Sequence, residues 1–172
     1  MKRLVGIDVD DVLGGFYSTA CRKFGKTPIT TDIWNPFGHC RFIPENWEAI
    51  KNDKDLWANM DVLVDPKKDL DFDFECYISA FPEERIPERL EWLHKNGFPD
   101  KPLYRAADKV KLAKEVGINT IIDDKIDTIR SFNAESGMWG IWYRPHYMIY
   151  RGQIADNFET VKKYLRNADF RG

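Results

Sequence analysis

An α/β fold, with a parallel sheet covered by helices on both faces, is predicted by three observations. Short apolar runs alternate with helical patterns over most of the chain. Such alternation builds parallel sheets whose right-handed crossovers bring every strand's carboxyl end to one edge. Two of the apolar runs, Leu4-Val5-Gly6-Ile7 and Ile118 to Ile122, lead straight into carboxylates. The stretch 16–60 breaks the alternation and is crowded with aromatic residues, which marks it as a small, mostly helical insertion after the first strand. The expected division is therefore a core of 1–15 and 61–172 and an insert of 16–60.

Taken in order, the first strand covers 4–7. Phe16, Ala20 and Phe24 have helical spacing, and Gly25 ends that helix. Within the insert, Pro44-Glu45 opens a short helix. The charged stretch 65–69 reads as a surface connection. Alternation over 72–78 predicts a strand ending in Ser79-Ala80, followed by a helix over 84–95 that closes at Asn96-Gly97. A short strand follows near 103–104. Asp108 is an N-cap for a helix over 109–116, which Gly117 stops. Then come a strand over 118–122, a helix to about 136, a strand over 138–143, a loop at 144–146 and a closing helix over 157–165.

The 172 residues are enough for one domain with a real core, and 43% hydrophobic and 31% charged content is ordinary for a soluble protein. A net charge of −2 gives no general footprint for long nucleic acid or an anionic membrane. No apolar run approaches a membrane span, and the amino-terminal apolar stretch is too short for a signal peptide. The 3 cysteines, Cys21, Cys40 and Cys76, form no disulfide framework and fit reduced thiols in the cytoplasm. His39-Cys40 could begin a zinc site but has no second pair.

Four polar clusters converge on the carboxyl edge of the sheet: Asp8/Asp10, Ser79 with Ala80, Lys109 and Asp123/Asp124. Ligands of open α/β sheets bind along that edge. Asp8 and Asp10 are two residues apart and face one side of an extended backbone, whereas Asp11 faces the other. Carboxylates from two strand ends suit a hard cation such as Mg²⁺, with room left for phosphate oxygens. Lys109 at a helix start and a hydroxyl at Ser79 suit a phosphate. One carboxylate can attack phosphorus, and a second can move the proton of the leaving group. Lys111 is a rival to Lys109 but falls about 200° round the helix from the start position.

The ordered set Asp8-Val9-Asp10, Ser79, Lys109 and Ile122-Asp123-Asp124 resembles the four motifs of the haloacid dehalogenase superfamily over almost the whole chain. Asp8-Val9-Asp10-Asp11-Val12-Leu13, Ile78-Ser79-Ala80 and Asn96-Gly97-Phe98-Pro99 are most similar to the 5′(3′)-deoxyribonucleotidase-type phosphatases. The resemblance implies a Rossmann-like core with a small helical cap and a phosphomonoesterase working through an aspartyl-phosphate. It implies Asp8 as nucleophile and metal ligand, and Asp10 as acid/base with a backbone carbonyl on Mg²⁺. Ser79, Ala80 and Lys109 would hold phosphate, and Asp124, with Asp123 as second choice, would complete the metal site. The chain departs from the pattern at Asp11, where many members carry Gly, and at Ser79, where the nucleotidases usually carry Thr.

The partner implied is a small phosphomonoester, a nucleotide first among them; a homodimer is compatible with the chain. Phe16 and Phe37 are the aromatic candidates for stacking a base, among Trp34, His39 and Phe42. Other readings are a phosphatase of a different small ester or nucleic-acid end, a phospho-receiver module, and a binding protein that keeps the fold without catalysis.

Overall fold

A computed structural model describes residues 2–27, 42–143 and 153–166. The chain opens with β1 (Val5–Ile7) and β2 (Gly14–Gly15), followed by α1 (Phe16–Lys23). The helices α2 (Phe42–Glu45), α3 (Trp47–Asn52) and α4 (Lys54–Ala58) lead to β3 (Asp61–Val62) and α5 (Pro66–Asp69). From there strands and helices alternate: β4 (Cys76–Ser79), α6 (Ile86–Lys95), β5 (Leu103–Arg105), α7 (Lys109–Val116), β6 (Thr120–Asp123), α8 (Ile126–Asn133) and β7 (Trp139–Tyr143). The strand β8 (Gln153–Ala155) and the helix α9 (Phe158–Arg166) complete the described chain.

Six strands form one sheet in the order β5-β4-β1-β6-β7-β8. All its pairings are parallel, so the predicted α/β class with a Rossmann-like sheet is observed. The chain builds outward from β1 to β4 and β5, then returns to the other side of β1 for β6, β7 and β8. That reversal of direction at β1 creates the crevice in which such sheets bind ligands. Helices cover the sheet, with a larger apolar cluster around Ile7, Tyr77, Trp92 and Ile141. A smaller one surrounds Ile78, Ile121, Ile129 and Phe132.

Phe16, Ala20, Ile50, Leu56 and Trp57, from α1, α3 and α4, belong to the larger cluster. The second sheet is a two-stranded ribbon in which Gly15 pairs with Asp61. The stretch between them thus leaves and rejoins the chain at one place. Gly14 is needed in that ribbon: a Cβ there would lie 2.9 Å from the Trp92 ring.

The differences from the expected elements have local causes. The helix expected to open at Pro44 is α2, spanning Phe42–Glu45, and Pro44 falls in its first turn, where a missing N–H costs little. The exposed stretch 65–69 is not a plain connection. It forms α5, because Asp65 accepts from the N–H groups of Lys67 and Lys68 and Pro66 stands at the first turn. Pairing with β1 begins at Cys76, later than 72, and the helix after it begins at Ile86, behind a 3₁₀ turn over Glu83–Arg85. The helix after β6 stops at Asn133, short of 136. By contrast, α7 matches its expected ends: Asp108 accepts from the Lys111 N–H, and Gly117 takes the left-handed conformation at φ 80°. Trp34, Phe37, His39, Cys40 and the 144–146 loop lie outside the described residues. Among those residues no helix is long and apolar enough to cross a membrane.

Candidate active site

The site is built from the ends of β1, β4 and β6 and the start of α7. β1 is fully buried, and the Asp8 N–H continues the sheet by donating to the Ile122 carbonyl at 2.9 Å. The chain then turns sharply. Leu13 and Gly14 both donate to the Val9 carbonyl, and Asp11 adopts φ 57°. Asp tolerates this left-handed conformation because its short side chain bonds locally. Here Asp11 Oδ1 accepts from the Tyr17 N–H at 3.0 Å, one of the orphan donors in the first turn of α1. Val9 and Val12 point into the core, which leaves Asp8 and Asp10 lining a common cavity while Asp11 faces α1.

Asp8 is 5% exposed. Its Oδ1 accepts from the Val9 N–H at 2.8 Å, and its Oδ2 pairs with Lys109 Nζ at 2.7 Å. Lys109 is the first residue of α7 and also reaches Asp123 Oδ2 at 2.7 Å. Burial alone would lower this ammonium's pKa, but the charges of Asp123 and Asp8 outweigh it and hold Lys109 well above the usual lysine range. Lys111 is exposed and lines no part of the cavity.

Asp123 ends β6 and is wholly buried. Besides Lys109 on Oδ2, it accepts the Lys125 N–H on Oδ1 at 2.7 Å. Burial pushes its pKa up to about 6 against the pull of Lys109. Asp124 is half-buried and lines the cavity. Ligand oxygens of Asp8, Asp123 and Asp124 all lie within 4.8 Å of one another.

Asp10 is held from two sides. Arg89 Nη2 donates to its Oδ1 at 2.6 Å, and the Ser79 hydroxyl donates to its Oδ2 at 2.9 Å. Burial raises the Asp10 pKa, Arg89 opposes that shift, and the neighbouring Asp8 adds to it. Ser79 is fully buried at the end of β4, with its hydroxyl on Asp10 in this arrangement.

These groups surround a cavity of about 270 Å³. Asp8, Asp10, Ser79, Ala80, Lys109 and Asp124 make its polar side. Phe16, Ile43, Trp47 and Trp57 face them from the helical insert. The structure thus brings together every sequence-predicted site residue except Phe37, which lies outside the described residues. Phe16 is 5% exposed and stacks on Trp57 with ring centroids 5.1 Å apart. Sequence reasoning missed Arg89. The available signal was its place three residues before the core residue Trp92, which puts a charge on the buried face of α6.

No family model and no curated protein matches the sequence. Solved structures do share the fold. A haloacid dehalogenase-like protein of unknown function from Agrobacterium tumefaciens superposes with a TM-score of 0.62 at 14% identity, covering 96% of this chain and 98% of that one. A HAD-superfamily hydrolase of subfamily IA from Geobacter sulfurreducens gives 0.58 at 13% identity, covering 95% and 96%. The HAD-hydrolase YfnB from Bacillus subtilis, in a form bound to magnesium, gives 0.53 at 14% identity, covering 95% and 98%. The chain therefore has the fold of haloacid dehalogenase-like hydrolases.

Proposed function

We propose that this haloacid dehalogenase-like chain is a Mg²⁺-dependent phosphomonoesterase that works through a phosphorylated Asp8. The observation that carries the reading is the shared cavity of Asp8 and Asp10, with Lys109 on the first and Ser79 on the second. In the first half-reaction a bond forms between an Asp8 carboxylate oxygen and phosphorus. The bond from phosphorus to the ester oxygen breaks, its electron pair stays on that oxygen, and Asp10 supplies the proton. In the second half-reaction Asp10 takes a proton from water as the water oxygen attacks phosphorus, which releases phosphate and restores Asp8. Lys109 keeps Asp8 oriented and offers positive charge to the phosphate oxygens. Ser79 and the backbone at Ala80 close the opposite side.

The residues fit a divalent cation. Asp8, Asp123 and Asp124 bring ligand oxygens within 4.8 Å of one another beside Asp10, and such hard oxygen donors suit Mg²⁺. Asp8, Asp124 and the Asp10 carbonyl would hold it. Asp123 already spends both oxygens on Lys109 and the Lys125 N–H, which favours Asp124 as the direct ligand. Bound there, the ion would neutralise charge on the phosphate.

For the substrate, we infer a nucleoside monophosphate, the deoxy form included. Support comes from the apolar side of the cavity, where Trp47 joins Phe16 and Trp57 next to the phosphate groups. Stacking one base is worth about 1–3 kcal/mol, and about 1.4 kcal/mol is tenfold in rate. The test is a screen of nucleoside monophosphates, sugar phosphates, p-nitrophenyl phosphate and a 2-haloacid, with Mg²⁺ and with excess chelator. Phosphate release that needs Mg²⁺, with kcat/KM about tenfold or more higher for a nucleotide than for a sugar phosphate and that margin reduced in Phe16→Ala, is the expected result. Turnover of the haloacid alone, or full activity in chelator, would overturn it.

A further inference from the structure

Arg89 is 0% exposed, and the described structure gives it no salt bridge other than the one to Asp10 Oδ1 at 2.6 Å. Its guanidinium lies over the Trp57 ring at 5.0 Å and the Phe81 ring at 5.3 Å, and its Nη1 donates to Met60 Sδ at 3.0 Å. Both Nη atoms and both ring faces hold the group in place, and the charge it pairs with belongs to the site. A buried ion pair adds little net stability, because desolvation offsets the attraction; its attested use is to fix one arrangement among several.

We propose that Arg89 is a positioning residue for leaving-group protonation, a role that rests on the phosphatase reading above. Arg has five donors and no acceptor, so the Asp10 oxygen it grips cannot deliver a proton in its direction. Gripping Oδ1 also fixes the carboxyl plane. That leaves Oδ2, the oxygen beside the Ser79 hydroxyl, as the one presented to the ester oxygen. When phosphorus parts from that ester oxygen, the electron pair remains on the oxygen and the proton passes to it from Asp10 Oδ2. Ser79, whose hydroxyl proton is free to rotate, then turns its donor from Asp10 to a phosphate oxygen. Trp57 lines the cavity on one face and carries Arg89 on its ring, so the insert supports the same carboxyl group that the sheet presents.

The experiment compares kcat/KM for two esters of different leaving group, since this ratio reports the steps through release of the alcohol. An alkyl phosphate needs protonation of its leaving oxygen; p-nitrophenyl phosphate does not. Arg89→Met should lose about 10²-fold or more on the alkyl ester, within the usual range for acid catalysis, and less than about tenfold on the aryl ester. Arg89→Lys should recover part of the alkyl activity. In an Asp10→Asn background, Arg89→Lys should add no further loss, because a residue that acts only through Asp10 has nothing left to orient. Equal losses on both esters, or losses that multiply in the double variant, would overturn the proposal and leave Arg89 a structural residue. If Arg89→Met does not fold, Arg89→Lys and the double variant decide alone. Wild-type protein that hydrolyses neither ester would sink the phosphatase reading itself, and this inference with it.

Discussion

β1 and β6 lie side by side and end alike in sequence, each passing from buried aliphatic residues into two carboxylates. Their structures differ because of one intervening residue. At β1, Val9 separates the acids and turns into the core, so Asp8 and Asp10 look into the same cavity, the first paired with Lys109 and the second with Arg89. At β6 the acids are adjacent and must diverge. Asp123 goes inward, wholly buried on Lys109 and the Lys125 N–H, and Asp124 is left on the cavity wall. An alternating acid pair puts two carboxyl groups on the cavity; an adjacent pair puts one there and buries the other beneath it.

The strongest challenge to this contrast is Asp8→Asn. It should lower phosphate release by about 10⁴-fold or more, the scale on which loss of a covalent nucleophile acts. Circular dichroism should show the fold intact. Turnover near the wild-type rate would remove Asp8 from the chemistry.

The β6 pair can be separated in the same way. Asp124→Asn should raise the Mg²⁺ concentration for half-maximal activity by at least about tenfold, with little change in unfolding free energy. Asp123→Asn should instead cost about 1–3 kcal/mol in denaturant unfolding, because buried Lys109 loses one of the two carboxylates it pairs with. If the two variants behave alike in both measurements, there is no division of labour at β6.

The smallest effect on turnover is expected at Asp11, which neighbours Asp10 but does not line the cavity. Among the described residues its buried Oδ2 has no hydrogen-bond partner, and burial, reinforced by the charges of Asp10 and Asp8, pushes its pKa up to about 8. The folded state therefore holds a proton that the unfolded chain releases near about 4. That stabilisation is complete below about pH 4 and declines as pH rises, until it is gone above the folded pKa. Asp11→Asn keeps the acceptor for Tyr17 and has no such dependence. Melting in chelator should show the variant gaining on wild type from about pH 4 to about pH 8, with kcat/KM within about threefold. Parallel melting curves would mean that Asp11 is ionised in the fold.

The sequence spoke most clearly where local chemistry alone decides the structure. Asp108 and Gly117 bound α7, β1 and β6 announce themselves by apolar runs, and the site acids follow at the strand ends. It was silent where the partner is distant. The Gly14–Gly15 strand has two residues, no side chains to alternate, and a partner far along the chain at Asp61–Val62. Arg89 is read as one more charge on a helix of mixed polarity until Asp10, from the other end of the fold, is placed beside it. The separation of α2, α3 and α4 depends on Asn46 and Asp53, residues equally at home in a loop.

The β2–β3 ribbon has a further consequence. Because Gly15 and Asp61 are already paired, the stretch strung between them closes a loop that the core itself holds shut. Doubling the length of such a loop adds only about 0.6 kcal/mol of closure entropy. Among the described residues, exchanging one cover over the acids for another would give up chiefly the apolar contacts of Phe16, Ile50, Leu56 and Trp57, while the paired strands beneath keep their register.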